Sequence, residues 1–234
     1  MSQMKLMSCP MSMDQGNLLP MVIMVSNTKG GVGKSTIAVH LAGWLFDKGY
    51  DVVLLDTDKQ ATSSTWLSNT EPELQTFFET EPKQIVSTLK KLIKEFDFVI
   101  CDTEGSYGVT GTILPTLADL AIVPLQPSEA DVDELEKALF HIQFANTECI
   151  LVFSMTSSND RKSNRLRELL CEVDVPVSKH TIRRLNAIRD VAKKSLVTRG
   201  TSTQAKNAAR DFNQLFSSLL CGKLPRPIRR AANA

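Results

Sequence analysis

One glycine-rich segment constrains this chain more than any other feature. An apolar run over residues 22–25 leads into Lys-Gly-Gly-Val-Gly-Lys-Ser-Thr at residues 29–36, and a helical pattern begins directly after it. Glycines let a backbone approach an anion closely and point successive N–H groups at it, and the first turn of the following helix adds its positive end. The segment therefore predicts a phosphate-binding loop between a strand and a helix.

Each residue of this loop has an expected role. We expect Lys34 to place its charge on the β- and γ-phosphates of a nucleotide, the Ser35 hydroxyl to bind Mg²⁺, and Thr36 to bond the α-phosphate. The residues expected to hold phosphate through their backbone are Gly30, Gly31, Val32 and Gly33. A glycine-rich turn can also be a plain connector, but the attached Gly-Lys-Ser-Thr favours the phosphate site.

The loop departs from the general pattern G-x-x-x-x-G-K-[ST] at its first position, where Thr28 replaces glycine. Lys29 occupies the second position. A lysine inside such a loop is a poor packing residue. We therefore expect Lys29 to project toward phosphate, either in its own site or in the site of a partner.

Short apolar runs alternate with longer segments of helical period, which is typical of an α/β fold with a mostly parallel twisted sheet and helices on both faces. The runs are near-continuous, as in strands buried on both faces. Strands are predicted at residues 22–25, 52–55, 98–101, 121–123 and 150–153, and helices at 35–46, 83–96, 129–144 with Ser128 as N-cap, 185–196 and 204–220. We expect one domain over residues 21–222, a loose extension over 1–20 and a basic tail over 223–234.

Three aspartates follow two of these strands. Asp56 and Asp58 come directly after the run at 52–55, and Asp102 ends the run at 98–101. Ligands of open α/β sheets bind at this carboxyl edge. One carboxylate of the first pair is expected to hold Mg²⁺ through water while the other orients an attacking water, and Asp102 is expected to be a second Mg²⁺–water ligand.

The net charge of +1 hides an asymmetry. Residues 1–179 carry 15 Lys and Arg against 24 Asp and Glu, whereas residues 180–234 carry 12 against 2. A basic C-terminal quarter predicts a surface that faces a polyanion, and a solvated helix face with a basic tail is the plainer alternative. No apolar run approaches the roughly 20 residues that span a bilayer, and the five dispersed cysteines indicate reduced thiols in the cytoplasm.

Four segments together carry a family resemblance. They are the loop at residues 29–36, Leu-Asp-Thr-Asp-Lys-Gln-Ala at 55–61, Cys-Asp-Thr at 101–103 and Val-Pro-Leu-Gln-Pro-Ser at 123–128. In these motifs the chain resembles the ParA/MinD family of deviant Walker-type ATPases, and in length it is similar to short ParA-type plasmid partition proteins. The resemblance covers roughly residues 22–220.

The resemblance implies ATP and Mg²⁺ as ligands and an ATP-dependent sandwich dimer. It implies that Lys29 crosses into the partner's nucleotide site, that Asp58 activates water, that Asp56 belongs to the Mg²⁺ shell and that Asp102 is the Walker B aspartate. It places the segment from Pro124 through Pro127 to Ser128 along the adenine and dimer edge. Two departures stand out, since Lys59 replaces a common Pro and Glu104 follows Thr103 where Pro is frequent.

Together with this resemblance, the basic C-terminal region predicts a DNA-binding surface. The predicted DNA contacts are Arg183, Arg184, Arg189, Lys193 and Lys194, with Arg199 just beyond. Contacts of this kind bind double-stranded DNA without sequence preference and depend strongly on salt. We expect a nucleoid-associated ATPase that segregates plasmid or chromosomal DNA with a centromere-binding, ParB-like partner and does not use a membrane.

Two other functions remain open at this point. One is a related positioning ATPase for another cargo, such as a conjugation or microcompartment system, which would share the site and differ in its partner. The other is a nonhydrolysing adaptor that senses nucleotide. Turnover of ATP with and without DNA separates the second from the enzymes.

Overall fold

The computed structural model describes residues 19–105, 109–157, 161–170, 175–192 and 194–224. Its strands are β1 (Met21–Val25), β2 (Val52–Asp56), β3 (Gln75–Phe78), β4 (Phe98–Asp102), β5 (Leu120–Leu125), β6 (Glu148–Thr156) and β7 (Ile182–Arg183). Its α-helices are α1 (Lys34–Asp47), α2 (Thr62–Thr70), α3 (Pro82–Glu95), α4 (Val109–Ile113), α5 (Glu129–Asp133), α6 (Leu135–Phe144), α7 (Arg161–Leu170), α8 (Asn186–Val191) and α9 (Thr203–Leu219). Residues 1–18 of the expected extension and residues 225–234 of the basic tail lie outside the described residues.

The strands form one sheet in the order β3-β2-β4-β1-β5-β6-β7, and every pairing between them is parallel. Strands β1, β2, β4 and β5 are almost entirely buried, because helices cover both faces of the sheet. This confirms the predicted α/β class and parallel sheet. The register brings Asp56 level with Asp102 and Asp102 level with Val25, so three strand ends meet at one edge.

Two apolar layers sandwich the sheet. One face, with Ile23, Leu54 and Ile100, packs under α1 and α9, and the other, with Met24 and Leu55, packs under α3, α6 and α7. Helix α1 is buried on nearly all sides because the C-terminal part of the chain covers its outer surface.

Several predicted boundaries were wrong, each for a local reason. The helix predicted over residues 129–144 is divided at Glu134 into α5 and α6, although Ser128 does cap its start by accepting a hydrogen bond from the Asp131 N–H. The helix predicted over 185–196 ends at Val191, because Ala192 adopts an extended backbone with ψ 125°. The sequence patterns missed β3, β7, α2, α4 and α7.

The segment after α8 ties the C-terminal region to α1 and α2. The Ser195 carbonyl accepts a hydrogen bond from Trp66 Nε1 at 3.0 Å, and the Val197 N–H donates to His40 Nε2 at 3.1 Å. Leu196 packs so closely on Gly43 that a Cβ there would lie 2.4 Å from Leu196 Cδ1. These contacts join the C-terminal region to the helix that carries the phosphate loop.

Candidate nucleotide-binding site

The loop over residues 29–36 turns directly from β1 into α1. Gly31 and Gly33 have φ of 74° and 95°, a left-handed conformation that glycine adopts without strain. Gly33 is the N-cap of α1 and offers no side chain, and the first turn contains no acidic residue. The first N–H groups of α1 therefore have no capping side chain and no neighbouring acid in the first turn, which suits an anion, and phosphate binding there stays a prediction.

The Lys34 side chain is buried against the phosphate loop. Its side chain is only 8% exposed, and Nζ donates to the Lys29 carbonyl at 3.0 Å. Burial lowers the pKa of Lys34, while the carboxylates of Asp102 and Asp58 act in the opposite direction. The ammonium group thus sits between the loop and the strand-end aspartates.

Gly105 sets the space around Lys34. A Cβ at this position would lie 3.0 Å from Lys34 Nζ and 3.3 Å from the Thr28 carbonyl. Any side chain there would press on both groups. This role of Gly105 was not expected from the sequence, because its closeness to residue 34 depends on the pairing of β4 with β1.

Asp102 is the least satisfied polar group of this edge. It is fully buried, and neither carboxylate oxygen accepts a hydrogen bond of normal geometry. Burial raises the pKa of Asp102 to about 7, although the nearby Ser35 hydroxyl lowers it in part. An orphaned buried carboxylate beside a hydroxyl is a suitable site for a divalent cation.

Mg²⁺ fits this donor set. No group of three or more His, Cys, Asp or Glu side chains is arranged as a metal cluster within the described residues. Mg²⁺ is commonly held by one or two protein groups together with waters and phosphate oxygens. Ser35 and Asp102 would supply that minimum, and the predicted ligand Asp56 is placed differently.

Asp56 is a structural partner of the residues around it. It is fully buried, Oδ1 accepts from the Asp58 N–H at 3.1 Å, and Oδ2 accepts from both the N–H and the hydroxyl of Ser64 at 2.9 Å. Both carboxylate oxygens are thus engaged by protein groups, so Asp56 holds Asp58 and α2 in place. Its membership of a Mg²⁺ shell stays a prediction.

Asp58 lies just beyond β2 and is half-buried. Its Oδ1 accepts from the Gln60 N–H at 2.9 Å, which leaves Oδ2 without a hydrogen-bond partner among the described residues. The Thr57 hydroxyl and N–H both donate to the Asp102 carbonyl at 2.9 Å and lock the end of β2 to the end of β4. Asp58 therefore stands on a fixed base close to Lys34.

Lys29 is paired within its own chain. Its Nζ lies 2.8 Å from Asp131 Oδ2, and its N–H donates to Asn27 Oδ1 at 2.8 Å. Asp131 also accepts from the Ser128 hydroxyl and from the Gln126 N–H. Burial would raise the pKa of Asp131, but the hydrogen bonds from Lys29 and Ser128 outweigh it and the net pKa is lowered. The hydrogen bond to Asp131 in turn raises the pKa of Lys29.

The segment at the end of β5 braces the loop. The Pro124 carbonyl accepts from Asn27 Nδ2 at 2.7 Å, and Gln126 Nε2 donates to the Gly31 carbonyl at 3.3 Å. The half-buried Pro127 follows Gln126 before α5 begins. The predicted adenine contacts of Pro124 and Pro127 stay predictions, but their segment does border the phosphate loop.

Ser154 was not expected from the sequence. It is buried on β6, and its hydroxyl donates to the Val32 carbonyl at 2.7 Å. The next residue, Met155, has φ 54° at an irregularity of the β6–β7 pairing. A non-glycine residue in this region stores backbone strain, which is often found beside functional sites.

The predicted DNA contacts occupy different environments. Arg183 is bound to Asp211 through Nε and Nη2, the shortest distance being 2.7 Å. Arg184 is exposed, and its Nη2 lies 3.4 Å from Gln126 Oε1 at the rim of the phosphate loop. Arg189 and Lys194 are exposed, whereas Lys193 lies outside the described residues. Among the described members of this set, Arg183 is thus engaged by a carboxylate while the other three are exposed, and their contacts with DNA stay a prediction.

Known proteins resemble this chain in sequence and in fold. The family model of the CobQ/CobB/MinD/ParA nucleotide binding domain matches residues 23–197. Protein ParA of Rhizobium radiobacter is 34% identical over 112 residues, which are 47% of this chain and 50% of that protein. The chain thus spans only half the length of that relative.

Two further comparisons extend over most of the chain. The maintenance of carboxysome distribution protein A of Halothiobacillus neapolitanus is 24% identical over 205 residues, or 84% of this chain and 94% of that protein. The structure of the septum site-determining protein MinD from Pyrococcus horikoshii OT3, complexed with Mg-ADP, superposes with a TM-score of 0.70 at 16% identity, covering 88% of this chain and 99% of that chain. The chain therefore belongs to the CobQ/CobB/MinD/ParA family of nucleotide-binding domains.

Proposed function

We propose that this protein is a Mg²⁺-dependent ATPase that forms an ATP-dependent sandwich dimer, binds double-stranded DNA without sequence preference, and segregates DNA together with a centromere-binding, ParB-like partner. The observation that carries the proposal is Lys29, a second lysine in the phosphate loop whose ammonium group is held by Asp131. The likeness to Protein ParA of Rhizobium radiobacter agrees with the resemblance to ParA-type partition proteins, and that resemblance supports the choice of DNA as cargo.

The catalytic step follows from the placement of three side chains. Lys34 would bind the terminal phosphates of ATP, and Asp58 would orient the attacking water through its free oxygen. Bound Mg²⁺, held by Ser35 and Asp102, would neutralise phosphate charge. Asp56 would position Asp58 by accepting a hydrogen bond from the Asp58 N–H.

Lys29 would make ATP hydrolysis depend on dimerisation. In the single chain its ammonium group is neutralised by Asp131. To stabilise the phosphates of a partner subunit, Lys29 must exchange this carboxylate for a phosphate. Turnover would then require two chains and stay low until they meet.

DNA binding would use the cations that the protein leaves unpaired. Lys194, Lys206 and Arg210 are exposed and have no ion-pair partner among the described residues. Lys206 and Arg210 are four residues apart on α9 and therefore share one face of that helix. Two such patches in a dimer would bind the phosphate backbone more tightly than one.

Lys29→Gln tests the proposal directly. The variant keeps a side chain of similar length without the charge, so it should bind ATP at its own site while dimerisation and DNA-stimulated turnover are lost. Lys91→Ala, which removes an exposed charge on α3, is the matched control. Dimerisation is measured by light scattering with ATP and turnover by phosphate release. A Lys29→Gln protein that dimerises and hydrolyses ATP like the wild type contradicts the proposal.

A second cargo is supported by one comparison. The carboxysome distribution protein of Halothiobacillus neapolitanus matches along 94% of its length, whereas the match to Protein ParA covers half. A positioning ATPase for a protein cargo would keep the same site and the same DNA surface. Binding to a centromere-binding protein but not to a cargo adaptor, measured with both purified partners from the same genome, separates the two functions.

Within the described residues, no helix combines the length and apolar character needed to cross a membrane.

A further inference from the structure

Strand β3 is an open edge of the sheet. It pairs with β2 on one side, and no strand in the described part of the chain lies on its other side. In a parallel ladder, alternate residues turn their N–H and C=O groups toward each neighbour. The Glu79 N–H donates to the Asp56 carbonyl, so by this alternation Gln75 and Phe77 face β2 while Thr76 and Phe78 face outward.

This edge lacks the usual protection against added strands. Lysine, proline and bulges commonly block exposed edges, and Gln75–Phe78 contains none of them. Phe77 and Phe78 are 40% and 51% exposed and, being adjacent in a strand, lie on opposite faces. An added strand would therefore find outward amide groups at its centre and an aromatic ring on each side.

The surroundings of β3 are acidic. Residues 71–81 contain four Glu and no Lys or Arg. Glu71 is paired with Arg199, and Glu79 accepts hydrogen bonds from the N–H groups of its own loop. Glu73 and Glu81 are exposed without an ion-pair partner in the described residues. A segment that docks here gains from carrying positive charge, and a second acidic copy of β3 is repelled.

The same strand is coupled to the proposed catalytic turn. Phe78 is level with Asp56 in the register, and the Glu79 N–H bonds the Asp56 carbonyl at 3.0 Å. Asp56 Oδ1 in turn accepts the Asp58 N–H. Two hydrogen bonds thus connect the end of β3 to Asp58, the residue expected to orient water, and an added strand would bond directly to β3.

We propose that the open edge of β3 is the docking site for an extended, basic segment of the partner protein, which joins the sheet as an additional strand. The inference rests on the proposed function, since it names where the centromere-binding partner of that function binds. Main-chain hydrogen bonds to Thr76 and Phe78 supply the affinity, and Glu73 and Glu81 select the charge.

The test uses two fluorescein-labelled peptides, one of alternating Lys and Val and one of alternating Glu and Val. Thr76→Pro removes an outward N–H that β2 does not use, and Thr76→Val keeps that N–H as the matched control. We expect the Lys peptide to bind the wild type and Thr76→Val, and to bind Thr76→Pro and a Glu73→Lys/Glu81→Lys variant at least about tenfold more weakly in fluorescence anisotropy. The Glu peptide should not bind.

Hydrogen exchange provides a readout that needs no variant. The Lys peptide should slow exchange of the Thr76 and Phe78 amides in the wild-type protein. This measurement decides the matter if Thr76→Pro fails to fold, which circular dichroism detects.

Four results would overturn the proposal. These are no binding of the Lys peptide, equal binding of both peptides, loss of binding in the charge variant but not in Thr76→Pro, and a β3-dependent dimer of this chain that excludes the peptide. ATP affinity and basal turnover are measured without peptide on the same samples. If those are absent the proposed function fails, whereas the peptide result stands by itself.

Discussion

Lys34 of the phosphate loop and the arginines of the basic C-terminal region hold their charges in different ways, whereas Lys29 of the loop resembles those arginines because it is paired with a distant carboxylate. In the loop, Lys34 is buried and directed at a site that the backbone forms locally. In the C-terminal region, Arg183 and Arg199 are bound to carboxylates that lie far away in sequence. The function of the loop can be predicted from a short sequence motif. The function of the basic region cannot, because it depends on which of its cations are paired with carboxylates in the folded chain.

The largest expected effect comes from removing the buried lysine of the phosphate loop. Lys34→Ala removes a buried cation that faces the strand-end aspartates, so we expect ATP affinity and turnover to fall about 100-fold or more. Lys91→Ala removes an exposed cation and should leave both unchanged. Isothermal titration with a nonhydrolysable ATP analogue and a phosphate-release assay check the two values. A Lys34→Ala protein that turns over ATP at the wild-type rate would show that this lysine is structural.

The next effect concerns the junction between the two regions. His40 is fully buried, its Nδ1 bonds the Thr36 carbonyl at 2.7 Å, and its Nε2 accepts the Val197 N–H. Burial lowers the pKa of His40 to about 4. Its folded pKa lies below the unfolded value of 6.5, so its contribution to stability is complete above pH 6.5 and is lost as the pH falls toward 4.

That shift corresponds to about 3 kcal/mol of unfolding free energy. Asp102, whose folded pKa is raised, contributes in the opposite direction over the same pH range in every variant. In urea unfolding, the difference in unfolding free energy between the wild type and His40→Gln should therefore change by this amount between neutral pH and pH 4, whereas the difference between the wild type and His141→Gln, at a half-buried histidine, should not. Equal pH profiles for the wild type and His40→Gln would contradict the assignment.

A smaller effect tests the C-terminal side. Arg183→Ala leaves the Asp211 carboxylate, whose side chain is 8% exposed, without its bidentate partner, and we expect a loss of roughly 2 kcal/mol in unfolding free energy. Arg189→Ala, with a side chain that is 79% exposed beside Asp190, should change it by less than about 0.5 kcal/mol. Urea denaturation of both variants gives the comparison. Equal stabilities would mean that Arg183 is as free as Arg189.

The features that could be predicted from the sequence are those set by residues close together in the chain or by the alignment of parallel strands. The loop, α1 and the aspartates at the ends of β2 and β4 follow from motifs and from the rule that parallel strands end together. The partner of Lys29 could not be predicted, because Asp131 lies 102 residues away and reaches the loop only through the β1–β5 pairing. Strand β3 was missed because four largely exposed residues give no buried pattern, and β7 because it has two residues.

The smallest expected effect sharpens the comparison, because it asks whether the unpaired cations of the C-terminal region bind DNA more than exposed cations elsewhere on the protein. Lys206 and Arg210 share a face of α9, so changing both to Ala should remove two phosphate contacts from each chain. The slope of log affinity against log salt should then fall by roughly 2 for a single chain and by roughly 4 for the ATP-dependent dimer. Lys90→Ala/Lys91→Ala changes the net charge equally on α3 and is the matched control. Fluorescence anisotropy with a duplex of arbitrary sequence, at several salt concentrations, measures the slope. If the control variant lowers it equally, net charge alone explains DNA binding and the C-terminal surface has no special role.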